Sequence, residues 1–237
     1  RRILETFEEV DIDVVVLKGE PLARLLYDDP HLRKTFDIDL LGSSHDRRAA
    51  CNVLTTELGY EQVTPYKPWA SNELGFDNPE RGTRAEYHWL LSSPHIPSPL
   101  PKSILAHRRT VACEGLSVPI PAPHHYFLEL CYHFHRHRGF LRGLLDIAAW
   151  LDRDELGVPW PRLSSLAREH NVESLVAWPL ATLDRVIATN VLTRSLLERT
   201  TVGTMLSKWT THEWMNRYRT PTSSGERNTL PEKLSRM

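Results

Sequence analysis

Val14-Val15-Val16-Leu17-Lys18-Gly19 and, one short helix later, Arg33-Lys34-Thr35-Phe36-Asp37-Ile38-Asp39-Leu40-Leu41 decide how this chain folds. The first is a β-branched, apolar run of strand length that stops at a glycine, as a strand covered on both faces does. The second alternates polar and apolar residues from Asp37, which predicts a strand with one wet and one buried face. Between them, Glu20 to Tyr27 has helical character, with Pro21 in the first turn, where a missing N–H is harmless. Upstream, Glu5 to Val10 is expected to end a helix. Downstream, Ser43 or Ser44 can cap a helix that runs to Leu58 and stops at Gly59, and Tyr60 to Val63 resumes an extended path. Strands and helices thus alternate over the first sixty residues, the mark of an α/β module.

The same two stretches carry the chemistry. Asp37 and Asp39, two apart on a strand, project from one face, so their oxygens can share divalent cations. Hard cations such as magnesium take oxygen ligands and partner with phosphates, and a pair of them can stabilise the attacking and leaving oxygens of an in-line displacement. Gly19 lets the backbone approach a phosphate at a strand-to-helix turn, and Lys18, Arg33 and Lys34 are placed to neutralise a polyphosphate. Taken alone, Asp-x-Asp fits the wet face of an ordinary strand equally well. Its occurrence together with Lys18-Gly19, on consecutive strands joined by one helix, points to a metal and phosphate site.

Composition excludes several other classes. The chain has 237 residues, 41% hydrophobic and 25% charged, with seven Trp, enough to bury a real core and too apolar for a disordered chain. With 29 Lys plus Arg against 30 Asp plus Glu, the formal net charge is −1, which argues against a protein that grips nucleic-acid backbone over its whole surface. The halves differ: residues 1–120 carry 14 Lys plus Arg against 18 Asp plus Glu, and the remainder 15 against 12. No apolar run approaches the length that crosses a bilayer. Cys51, Cys113 and Cys131 show neither CxxC nor zinc-type spacing, which predicts a reducing, cytoplasmic setting. The chain opens Arg1-Arg2-Ile3 without Met, so its true start is expected upstream or trimmed away.

Between Pro65 and Pro101 the prolines, Asn72, Gly75, Asn78 and Gly82 break the pattern into short pieces, of which Arg84 to Leu91 is the best strand. Arg109 to Ile120 predicts two short strands around Glu114-Gly115. After the Pro-rich junction at residues 119–123 helical periodicity takes over, at Phe127, Leu130, Cys131 and Phe134, then from Leu141 to Leu151, then from Trp160 to about Ala188. The expected organisation is a catalytic α/β domain over 1–120, a helical domain over 121–218 and a polar tail over 219–237.

Val15-Val16-Leu17-Lys18-Gly19, Leu25-Leu26-Tyr27-Asp28-Asp29-Pro30, Arg33, Asp37-Ile38-Asp39-Leu40-Leu41 and Leu58-Gly59-Tyr60 together resemble the uncharacterised nucleotidyltransferase family of the DNA polymerase β superfamily. More distantly, the chain is similar to AbiEii-type toxin nucleotidyltransferases. The resemblance extends to Glu86-Tyr87-His88-Trp89, to His133 and His137, and to Leu145-Asp146-Ile147-Ala148, covering roughly residues 10–190. It implies an α+β fold: a polymerase β-like mixed sheet with helices, followed by a C-terminal helical domain closing over the site. It also implies transfer of an NMP group from an NTP to a hydroxyl acceptor, with release of pyrophosphate.

Carried onto this chain, the resemblance makes Asp37 and Asp39 paired ligands for Mg2+ or Mn2+ and Glu86 the third carboxylate, a metal ligand that also draws the proton from the acceptor. Lys18, Gly19 and Arg33 would meet the triphosphate. The acceptor is open between a small molecule, a tRNA and a peptide or protein. Two departures stand out. Glu20 follows Gly19 where relatives carry Ser or Gly, and a carboxylate there repels a triphosphate unless it points away. Gly42 replaces the usual Val after Leu-Leu, a change expected to shorten the strand.

His124 to Arg142 holds five His and three Arg against one Glu. Glu129, His133 and His137 share one helix face, and three readings are open for it: a zinc site, a solvated polar face, or a basic wall of the cleft where His133 and His137 contact nucleotide or acceptor. Trp89 is a candidate base-stacking ring, whereas Trp150, Trp160 and Trp178 fit a core. Two further functions compete with transfer: a drifted scaffold that binds nucleotide or RNA, signalled by Glu20, and a zinc hydrolase built on the histidine helix.

Overall fold

The computed structural model of the chain describes residues 1–67, 70–91, 100–137, 139–153 and 155–187. The chain opens with α1 (Arg2–Glu9), an amphipathic helix that buries Ile3 and Phe7, and turns at Asp11 into β1 (Val14–Val16), all three valines buried. Gly19 starts α2 (Glu20–Leu26), and a 3-10 turn at Pro30–Leu32, capped by the Asp29 carboxylate accepting from the His31 N–H, leads into β2 (Asp37–Gly42). Then come α3 (Arg47–Asn52), continuing as a π-helical turn over Val53–Glu57, and β3 (Glu61–Gln62), β4 (Glu73–Asn78) and β5 (Thr83–His88). α4 (Leu100–Ala106) precedes the hairpin of β6 (Arg109–Cys113) and β7 (Leu116–Ile120). The rest is helical: α5 (Pro123–Arg136), α6 (Leu141–Asp152), α7 (Trp160–Glu169) and α8 (Glu173–Ile187).

Five strands form a mixed sheet in the order β1-β2-β5-β4-β3, parallel only between β2 and β5. A mixed sheet accompanied by helices is what the expected α+β class calls for. One face is apolar: Leu40, Phe76, Ala85 and Tyr87 are fully buried, and the Phe7 ring meets Tyr87 edge-on at 6.4 Å between centroids. The opposite face carries the carboxylates. It is not the wet face that alternation predicts, because Asp39 keeps only 3% of its surface exposed.

The chain divides into two compact units, Arg1–Glu129 with Arg153–Gly157, and Leu130–Asp152 with Val158–Met237, the division falling inside α5. In the second unit α8 packs on α6 and α7, and Phe134 meets Trp178 edge-on at 5.1 Å. Trp150 and Trp178 are core residues there, as expected. The periodicity from Trp160 onward is interrupted at Asn171, whose φ of 54° ends α7 before α8 begins. Residues 219–237 lie outside the described residues.

Two glycines explain where the sequence misleads. Gly75 marks a break by composition, yet it lies inside β4, opposite Glu86. A Cβ there would lie 2.7 Å from Thr64 Oγ1 and 2.9 Å from Arg84 Nη2, so the strand needs a glycine to admit its neighbours. Gly42 does not shorten β2; it pairs with Val14 at the strand's end. A Cβ on Gly42 would approach within 2.8 Å of two carbons of the Tyr87 ring, whose hydroxyl donates to the Ser43 carbonyl at 2.9 Å. Gly42→Val is therefore expected to destabilise the fold by about 1–3 kcal/mol through overpacking, measurable by urea denaturation, and in the double variant with Tyr87→Ala the two losses should come to less than their sum.

Candidate active site

Strand register builds the site. Asp39 pairs with Glu86 across the parallel β2–β5 ladder, Asp37 with Arg84, and Glu73 faces His88 across the antiparallel β4–β5 ladder. Side chains two apart on a strand share a face, and so do those directly opposite across a ladder. Asp37, Asp39, Glu86, His88 and Glu73 therefore form one polar patch on three neighbouring strands.

Asp39 is the hub. Its Oδ2 lies 3.1 Å from Lys18 Nζ and its Oδ1 2.9 Å from His88 Nε2, with all three side chains largely buried. Burial alone would raise the Asp39 carboxyl, but Lys18 and His88 reverse this and hold it well below the usual carboxylate range. His88 is the residue that motif reading passes over. Its other nitrogen, Nδ1, lies 2.9 Å from Glu73 Oε2, and Glu86 Oε2 is 3.5 Å from Nε2. Burial disfavours the imidazolium, yet Asp39, Glu73 and Glu86 together raise its pKa well above 6.5. With carboxylates at both nitrogens, the ring is a buried cation donating on both sides. The signal available in sequence was the Glu86-x-His88 spacing, the same two-residue interval as Asp37-x-Asp39.

Glu86 also accepts from Arg84 Nε at 3.2 Å, and the His88 hydrogen bond lowers its carboxyl against the effect of burial. Asp37 is the opposite case. Burial, then the charges of Asp39 and Glu86, push its carboxyl up, and Lys18 and His88 only partly compensate. Among the described residues its carboxylate has no hydrogen bond or ion pair. An uncommitted, electrostatically disfavoured carboxylate beside two ionised ones is a site short of positive charge.

Gly19 has φ 76° and ψ −145°, a backbone state that favours glycine, while a Cβ would find ordinary contacts with Thr35 at 3.5 Å. Conformation, not space, requires the glycine. Glu20 does not face an incoming phosphate uncompensated: its Oε1 pairs with Arg24 Nε at 2.8 Å. A mainly apolar cavity of about 400 Å3 opens beside this turn, where Ile3, Val16, Ile38 and Val118 line it together with Lys18, Gly19, Glu20, Asp37 and Glu114, while Asp39, Glu86 and His88 do not. Arg33 is buried and its charge acts on Glu129.

The remaining candidates divide. His133 and His137 lie in the second unit, their rings 4.5 Å apart, with Phe140 5.7 Å and 5.4 Å away. Among the described residues the one set of three possible ligands within 4.8 Å of one another is Asp39, Glu86 and His88, so Glu129, His133 and His137 do not assemble a zinc site. Trp89 is not an open stacking surface: it is 7% exposed, edge-on to Tyr66, with the Arg47 guanidinium 5.1 Å from its centroid.

The mixed sheet thus gathers carboxylates beside a lysine-glycine turn, and the comparison of sequences gives the class of the chain. The chain belongs to the uncharacterised nucleotidyltransferase family, whose sequence model matches residues 1–186. It is accordingly a nucleotidyltransferase in class. Among solved structures, it is similar to the antibiotic-resistance factor ANT(2'')-Ia, with 16% identity and a TM-score of 0.44 over 81% of this chain and 93% of that one. It is also similar to an antigenic nucleotidyltransferase-like protein from Paracoccidioides brasiliensis, with 18% identity and a TM-score of 0.43 over 73% and 87%. No curated protein matches the chain. Among the described residues no helix is long and apolar enough to cross a membrane.

Proposed function

We propose that this protein is a divalent-metal-dependent nucleotidyltransferase that moves an NMP group from an NTP to an acceptor hydroxyl and releases pyrophosphate. The observation that carries the proposal is the alignment of Asp37, Asp39 and Glu86 on one sheet face, with Asp39 and Glu86 within ligand reach of each other and Lys18 on Asp39. The donor set fits a hard cation. Asp37 is an uncommitted carboxylate disfavoured by its neighbours, and a lysine ammonium already sits on Asp39 where positive charge is wanted.

Asp37, Asp39 and Glu86 would hold Mg2+ or Mn2+, which supplies charge neutralisation at the phosphates. Lys18 and the Gly19 backbone bind the triphosphate, and Arg33, His133 and His137 are further candidates for contacts with it. The acceptor oxygen forms a bond to the α-phosphorus as the bond from that phosphorus to the β-phosphate oxygen breaks. Glu86, kept ionised by His88, takes the hydroxyl proton, and pyrophosphate leaves with its charge met by Lys18. His88 is a positioning residue that fixes Asp39, Glu86 and Glu73 relative to one another. Three cysteines without metal or redox spacing support a reducing, cytoplasmic location.

Binding is the simplest check. An NTP with Mg2+ or Mn2+ at 100 times its dissociation constant is expected to stabilise the protein by about 2.7 kcal/mol, read as a rise in Tm. No rise with any NTP in the presence of either metal would overturn the proposal.

A further inference from the structure

Glu129, on α5, brings a carboxylate to the site that the transfer scheme leaves unused. Its side chain is 5% exposed, and its Oε2 is buried with no hydrogen-bond partner. Its Oε1 lies 3.9 Å from Lys18 Nζ, too far for a hydrogen bond. Burial pushes this carboxyl up to about 7, Lys18, His88 and Arg33 working against burial and Asp39 adding to it. A buried carboxyl with an orphaned oxygen is costly, and such a group is expected to serve a second state of the site.

Lys18 supplies the reason. Its ammonium stands 3.1 Å from Asp39 Oδ2, on a carboxylate proposed to hold the divalent cation. In a buried site an ammonium and a divalent cation drawn to the same carboxylate repel each other strongly, so Lys18 is expected to move off Asp39 when the metal binds. With its side chain only 11% exposed, it has little access to water in its present position. A displacement of about 1 Å brings Nζ within hydrogen-bond distance of Glu129 Oε1.

We propose that Glu129 is the second berth of Lys18: the ammonium moves from Asp39 to Glu129 when a divalent cation occupies the site, freeing Asp39 while staying beside the phosphates. The inference rests on the metal-dependent reading above. Glu129 is a positioning residue acting through Lys18: it stands on α5, off the sheet face that carries Asp37, Asp39 and Glu86.

The test is Mn2+ affinity without nucleotide, measured by calorimetry on the full chain, with folding checked by thermal unfolding. Glu129→Gln is expected to weaken Mn2+ binding about tenfold or more, because the neutral amide no longer draws the ammonium off Asp39. Lys18→Met is expected to tighten binding, and adding Glu129→Gln to Lys18→Met should change the affinity by less than about twofold, an interaction between the two sites that a merely structural Glu129 would not show. Should Glu129→Gln fail to fold, Glu129→Asp, which keeps the charge but shortens the reach, should weaken binding with the same dependence on Lys18. Equal Mn2+ affinity in wild type and Glu129→Gln would overturn the second berth while leaving the metal site standing. The same loss with and without Lys18 would overturn it too, and wild type that binds no Mn2+ would overturn both proposals.

Discussion

Asp37→Asn is expected to lower nucleotidyl transfer by about 10²–10³-fold or more while the metal-free protein melts at or above the wild-type temperature. The two effects have one cause. Burial and the charges of Asp39 and Glu86 raise the Asp37 carboxyl in the folded state. An acid whose folded pKa lies above its unfolded value binds protons more tightly when folded, so its ionisation opposes folding once the pH exceeds the unfolded value of about 3.9. Replacing it with the neutral amide removes that opposition along with the catalytic charge, the usual trade between stability and function. Asp39→Asn should abolish transfer equally but behave differently as a folded protein. It removes the carboxylate that the buried charges of Lys18 and His88 share, and losing one partner of such a cluster costs about 3–5 kcal/mol. A melting comparison of the two variants thus separates a carboxylate kept for chemistry from one that also holds the site together. Equal destabilisation by both would contradict this division.

His88→Gln should destabilise the fold by a similar amount, about 3–5 kcal/mol, because it removes the buried cation that Asp39, Glu73 and Glu86 share. It should also change the pH profile of the metal-free protein. Although burial lowers the imidazolium pKa, its three carboxylate partners raise it well above 6.5. A base whose folded pKa exceeds its unfolded value contributes stability fully below the unfolded pKa, and that contribution fades as pH climbs through the folded one. Metal-free wild type is therefore expected to lose stability steadily from about pH 6.5 upward, and the variant to lose much less over the same range. Urea denaturation at several pH values checks both. Parallel profiles would show that His88 is neutral in the fold.

The sequence reveals the parts of this site that lie close together along the chain. The Val-rich run, the glycine with its left-handed turn and the alternation of Asp37-Ile38-Asp39 are local signals, and each sits where local physics places it. Glu86 and His88 share one face by the same alternation, but the partner that makes His88 a cation, Glu73, is set by the register of β4. That strand is hidden in the sequence because Gly75, needed for close approach of Thr64 and Arg84, looks like a break. Glu129 appears from spacing to belong with His133 and His137 on one helix face. Tertiary packing instead turns its carboxylate toward Lys18, in the turn after β1 and more than a hundred residues away. Gly42 is likewise explained only by the Tyr87 hydroxyl across the sheet. What spacing cannot show is which elements become neighbours, and in this protein that decides which charges are paired.

The most direct measurement incubates wild type and Asp37→Asn with each α-labelled NTP, Mg2+ or Mn2+, and pools of candidate acceptors, following label transfer and acceptor mass. By the proposed mechanism wild type adds one nucleoside monophosphate to an acceptor and releases one pyrophosphate for each transfer, only with metal present, and Asp37→Asn does so at least about a hundredfold more slowly. Transfer by Asp37→Asn at the wild-type rate, or transfer by wild type with all divalent metal removed, would contradict it.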